Sequence, residues 1–201
     1  MILDIFPTRI GIWHFDFGPD FDASMANQLK AAHTANSTGG EIWNRKGHNI
    51  FDGSIPECLV VKDRAIEAIQ EFIGNDARVA SMNGVEIVRE HGVEIMPHSD
   101  ADFAHIHGAY FPMGPEIDLS VSIEEQANQY GNNGYAICAG DFRTPGGHSP
   151  LMPWEKPRKY WIKPHRGLFV AFDGRAVHFQ KPNLTGSPFV QLLLNFNVEK
   201  K

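Results

Sequence analysis

From Val79 to the C-terminus the chain is a succession of short β-rich runs: "VEIVREHGVEIMPH", "HIHGAYFP", "IDLSVSI", "GYAICAGDF", "KYWIKP", "GLFVAF" and "PFVQLLLNFNV". Val, Ile, Phe and Tyr fill them, Gly, Pro and Asn punctuate them, and no helical period lies between them. Seven or more such runs without intervening helices exclude a parallel α/β sheet and predict an all-β barrel or double-sheet jelly roll. The Pro/Gly stretch "TPGGHSPLMPWEKP" (144–157) reads as a loop over the barrel mouth.

The preceding segment has another texture. An apolar strand over Ile2 to Ile12 is followed by a helix over roughly Ser24 to Ala32, with "DFDAS" supplying N-cap oxygens and first-turn acid. A second helix, Lys62 to Gly74, places Ile66, Ile69 and Ile73 on one face and stops at Gly74-Asn75. The fold class expected is mainly β (α+β): one domain over 1–201, with residues 1–78 capping a jelly-roll core over 79–201.

Eighteen basic against 24 acidic residues give a net charge of −6, and no Lys/Arg run could track a phosphate backbone, so nucleic acid is not an expected partner. The start "MILDIFPTRIGIW" lacks the pattern of a secretory signal and no apolar run suits a membrane span; a cytoplasmic protein is expected. Cys58 and Cys138 lie far apart without a C-x-x-C neighbour, which suggests a reducing compartment and two small buried hydrophobes. No G-x-S-x-G elbow is present, and neither cysteine sits beside a suggestive base, so nucleophilic catalysis has little support.

Chemistry concentrates in "PHSDADFAHIHGAYFP", Pro97 to Pro112, where three histidines and two aspartates share sixteen positions. The spacing of His98 and Asp100 puts both on one face of an extended strand, able to grip one ion together. A distant histidine would complete the facial triad that leaves positions open on ferrous iron. The best candidate is His178, which follows the apolar run Leu168 to Phe172 and the turn at Asp173-Gly174. A second H-x-D match, His14-Phe15-Asp16, lies among aromatics outside the strand-rich part and is set aside. "HIH", His105 and His107, is another same-face pair and with His178 could form a cupin-type three-histidine site, although no glutamate follows at cupin spacing.

In this order the motifs resemble those of the non-haem Fe(II)/2-oxoglutarate-dependent dioxygenases, in particular small bacterial and phage members, from about Val85 to Val198. "HSD" is similar to the H-x-D motif, "GAYFP" to the strand after it and "GYAICAGDFRTPGG" to a mid-barrel strand ending in an Asp-x-Arg turn. "IKPHRGLFVAFDGRAVHFQKPN" resembles the segment that carries the distal histidine, and "LLLNFN" the closing strand. The resemblance implies a double-stranded β-helix; Fe(II) held by His98, Asp100 and His178; 2-oxoglutarate and O2 as co-substrates; and oxidation of a small molecule or a peptide side chain. The residues leave oligomeric state open, a homodimer included.

One position departs from the family. Where a basic residue would grip the distal carboxylate of 2-oxoglutarate, strand register places Gln191, a neutral amide. Arg143, Arg175 and Lys163 are the candidate substitutes, Tyr110 could add a hydroxyl, and His105 and His107 are expected to line the mouth or order the ligands. The departure also leaves open a jelly-roll binding module without enzymatic activity.

Overall fold

The computed structural model describes residues 2–5, 8–36, 49–114, 135–138, 159–183 and 187–201. Two antiparallel sheets face each other. The larger contains, in spatial order, β1 (Ile2–Ile5), β2 (Thr8–His14), β8 (Leu168–Asp173), β5 (Ile106–Phe111), β10 (Phe189–Lys200) and β3 (Ala77–Arg89). The smaller contains β4 (Ile95–His98), β9 (His178–Gln180), β6 (Tyr135–Cys138) and β7 (Lys159–Ile162). From β3 onward successive described strands pass from one sheet to the other at every step but one, β6 to β7, which pair with each other in the small sheet; this is the winding of a double-stranded β-helix.

The alternation of side chains along each strand decides what faces the barrel interior. On β8, Leu168, Val170 and Phe172 join Ile87, Ala109, Phe111, Phe189 and Leu193 in the core between the sheets. The intervening Phe169 and Ala171 face away, toward the helices α1 (Pro19–Asn36) and α2 (Pro56–Ile73). There they meet Met25, Leu29, Val61, Ala65 and Ile69. Burying each such aliphatic chain contributes about 1.5–3 kcal/mol, which holds the helical layer to the large sheet.

Both helices begin earlier than the apolar spacing predicts, and each begins at a proline. Pro19 follows Gly18, whose φ is +89°, and Pro56 stands at the first turn of α2. The fixed φ of proline and its missing N–H suit the first helical position, so proline rather than the acidic cluster sets the start. Ile69 is buried as expected, whereas Ile66 and Ile73 are only partly covered and Cys58, Val61 and Ala65 complete the packed face. Gly74 ends the helix at a positive φ of 78°, its N–H donating to the Gln70 carbonyl at 3.1 Å.

The expected single strand over Ile2 to Ile12 is instead a hairpin, β1 paired with β2, and β2 pairs with β8 at the edge of the large sheet. The N-terminal segment therefore extends a core sheet as well as capping it. The loop 144–157, the run 117–123 and Arg143 lie outside the described residues.

Candidate metal centre

β4 ends in His98, directly opposite His178 at the start of β9, and the two imidazole centroids are 4.3 Å apart. Asp100 follows in a turn, so its placement comes from backbone bonds rather than from strand periodicity. Its N–H donates to the Gly174 carbonyl at 2.8 Å, and its own carbonyl accepts the N–H groups of Phe103 and Ala104 at 2.8 and 2.9 Å. Gly174 is required there: a Cβ would fall 2.2 Å from the Ala104 carbonyl oxygen. Ligand-capable atoms of His98, Asp100 and His178 all lie within 4.8 Å of one another.

The tautomers suit a cation. Nδ1 of His98 lies 2.8 Å from the Met96 carbonyl and Nδ1 of His178 lies 3.1 Å from the Ala176 carbonyl. A carbonyl only accepts, so each Nδ1 carries the proton and each Nε2 presents its lone pair. His178 Nε2 is 3.5 Å from Asp100 Oδ2. Two imidazole nitrogens and one carboxylate with backbone carbonyls behind them form a donor set fit for a divalent transition metal.

The electrostatics agree. Burial pushes the Asp100 carboxyl upward, but the adjacent His107, His178 and His98 together hold it far below the usual carboxylate range. His178 is driven well below an ordinary histidine by burial and by His107 and His98, against smaller opposing effects of Asp100 and the Ala176 carbonyl. A carboxylate that stays ionised and an imidazole that stays neutral are the protonation states that metal ligation needs.

His107, fully buried on β5, stacks on His178 with centroids 4.6 Å apart. Its Nδ1 is shared between Asp100 Oδ2 at 2.6 Å and Asn195 Oδ1 at 3.1 Å. His105 lies just before the strand, exposed, with Nδ1 accepting the Val198 N–H at 3.0 Å. The two histidines are thus separated, and the cupin set of His105, His107 and His178 is not assembled. His14 ends β2, a strand the sequence did not supply for it, but it is exposed and neighbours His165 rather than Asp100.

The residues expected around the co-substrate diverge. Tyr110 occupies the face of β5 opposite His107, and its hydroxyl donates to the buried Asp22 of α1 at 2.5 Å. The cause is strand parity: position 110 is odd-numbered in steps from 107 and so points at the helices. Arg175 is exposed on the turn after β8, paired with Asp173 through Nε at 2.8 Å. Lys163 lies between β7 and β8, where its carbonyl and its charge act on His165.

Gln191 does face the interior. It is fully buried, and its Oε1 accepts from Gln180 Nε2 at 2.9 Å. Sequence reasoning missed Gln180, Asn195 and Arg89. Arg89 ends β3 on the interior face, opposite Phe189, and is buried. The signal was present in "VEIVR", where Arg89 continues the face of Val85 and Ile87; a cation prolonging an apolar face is an informative burial.

No protein-family model matches the chain, and no curated protein sequence is similar to it. Solved structures do resemble it. A Pseudomonas putida prolyl-4-hydroxylase superposes with a TM-score of 0.58 at 11% identity, over 94% of this chain and 86% of that one. A Trichoplax adhaerens prolyl hydroxylase, in complex with a peptide fragment of a hypoxia inducible factor, gives 0.57 at 11% identity over 93% and 82%. HygX from Streptomyces hygroscopicus, with nickel and 2-oxoglutarate bound, gives 0.54 at 12% identity over 94% and 82%. With the strand winding and the His98, Asp100 and His178 cluster, this likeness identifies the chain by fold: a double-stranded β-helix of the kind found in the non-haem, 2-oxoglutarate-type oxygenases.

Proposed function

We propose that the protein is an Fe(II)-dependent oxygenase that uses O2 and 2-oxoglutarate to hydroxylate or otherwise oxidise a small molecule or a peptide side chain. The observation that carries the reading is the convergence of His98, Asp100 and His178 from two strands and a turn, with both histidine tautomers set for ligation.

His98 Nε2, His178 Nε2 and an Asp100 oxygen would hold the iron, which when bound supplies the redox chemistry that activates O2. The rest falls to the chain. The Met96 and Ala176 carbonyls keep the imidazoles in one tautomer. His107 beside Asp100 limits how that carboxylate can turn. Phe172, whose ring centroid is 4.9 Å from that of His178, is one of the apolar walls that restrict water around the ligands.

The test is an anaerobic Fe(II) titration with and without 2-oxoglutarate. A weak visible charge-transfer band that needs both components is the expected result. Iron binding without that band would reject 2-oxoglutarate chelation, and absence of iron binding would reject the oxygenase reading altogether.

A further inference from the structure

Gln191 stands where a basic residue was expected to hold the distal carboxylate of the co-substrate, yet the same interior face carries a cation one strand away. Register aligns Phe189 with Arg89 and Gln191 with Ile87, so Arg89 is the diagonal neighbour of Gln191 on the barrel side of β3. We propose that Arg89, with the Gln180–Gln191 amide pair, receives the distal carboxylate of a dicarboxylate co-substrate. The inference deepens the oxygenase reading and rests on it.

Four observations carry it. Arg89 is wholly buried, and a guanidinium keeps its charge wherever it is placed, so this part of the interior is permanently positive. Arg89 is also held in position. Its carbonyl accepts from Asn183 Nδ2 at 2.9 Å, its Nη1 donates to the Lys181 carbonyl at 2.8 Å, and the guanidinium lies 5.0 Å over the Phe189 ring.

Third, the carbonyl that Arg89 Nη1 bonds belongs to Lys181, the residue after Gln180, whose side chain bonds Gln191. Gln191 Nε2 and Gln180 Oε1 are buried with no hydrogen-bond partner among the described residues. The one bond between these two amides uses a single donor and a single acceptor. Whichever way both are turned, an NH2 group remains to be satisfied, and buried donors left so cost about 1–3 kcal/mol. A carboxylate oxygen would satisfy it.

Fourth, the distance suits a diacid. Gln180 is two residues beyond His178 on β9 with its side chain on the same face, a step of about 7 Å along the strand. A five-carbon diacid anchored at the metal end reaches that far. Lys181, the one basic residue soon after the distal histidine, faces the other way, its Nζ 4.8 Å from the Trp161 ring.

The test compares binding of 2-oxoglutarate with 2-oxopentanoate, the same chain without the distal carboxylate, to Zn(II)-loaded protein by calorimetry. Wild type should prefer 2-oxoglutarate by about 10- to 100-fold, the range of a charge-assisted hydrogen-bonded pair. Arg89→Met should abolish that preference while leaving 2-oxopentanoate affinity unchanged, and Arg89→Lys should restore part of it. A folded Arg89→Met protein that keeps the full preference overturns the assignment of Arg89 but spares the oxygenase reading. Wild-type protein that binds metal and neither acid, or both equally, overturns the co-substrate reading and this inference with it.

Should Arg89→Met fail to fold, the wild type still decides. The arginine Nε–H resonance that disappears in Arg89→Lys should shift on adding 2-oxoglutarate and stay in place with 2-oxopentanoate. An unmoved resonance in saturated protein overturns the proposal.

Discussion

At His98 and His178 one local device recurs: Nδ1 faces the carbonyl two residues earlier, which commits Nε2 to the interior. His98→Ala, Asp100→Ala and His178→Ala should therefore each abolish uptake of Fe(II) or Ni(II), while His14→Ala leaves it intact; metal content after gel filtration reads this directly. Full occupancy in Asp100→Ala would remove the triad. Elsewhere, burial is the main cause that pushes His165 down to about 4, its rise toward the Lys163 carbonyl notwithstanding. In the unfolded chain this histidine titrates near 6.5. The folded state thus binds the proton less readily, and its advantage, complete above about pH 6.5, is lost as pH falls toward 4. Urea midpoints at pH 7 and pH 4.5 should differ less in His165→Leu than in wild type.

Among the elements, β5 separates two tasks by parity, turning His107 to the ligands and Tyr110 to the helices. Asp22 of α1, which is wholly buried, accepts from both the Tyr110 hydroxyl and Arg166 Nη1, the latter at 3.1 Å, and so ties the helical layer to the sheet. Tyr110→Phe should lower stability by about 1–3 kcal/mol, the cost of leaving a buried charged acceptor short of a donor, with metal affinity unchanged. A loss of metal or 2-oxoglutarate binding without loss of stability would put Tyr110 back at the co-substrate. The turn between β8 and β9 works differently, because Gly174 touches both Asp100 and the chain before β5. Gly174→Ala should cost about 1–3 kcal/mol through overpacking and weaken metal binding as well, since the displaced turn carries the carbonyl that fixes Asp100. Unchanged metal affinity in that variant would show that Asp100 is positioned by other contacts.

For the whole molecule, the candidate centre joins the two sheets: His98, Asp100 and His178 belong to the small sheet and its following turn, His107 and Asn195 to the large one. A metal that binds only the folded state should raise the thermal midpoint, by the equivalent of about 2.7 kcal/mol at a free concentration one hundred times Kd. Thermal scans with Ni(II) should show that rise in wild type and none in His178→Ala. Among the described residues no helix is long and apolar enough to cross a membrane.

The strand-rich texture and the candidate His98, Asp100 and His178 set were legible in the sequence because each is carried by local pattern. Strand periodicity needs only neighbouring residues, and "HSD" and "AVH" each carry their own turn or strand start. Legibility failed where partners are distant in sequence. Parity along β5 can be counted, but which face looks inward depends on strands some 60 to 90 residues away, and that sent Tyr110 to Asp22. Arg89 and Gln191 are about a hundred positions apart and come to diagonal positions on one face only because β10 returns beside β3. The sequence by itself determined a double-sheet β protein with a His/Asp/His set. Only the tertiary structure decided that the buried Arg89 of the first core strand and the buried Gln191 of the last share one interior face, because strand pairing is what sets charge and burial at one place.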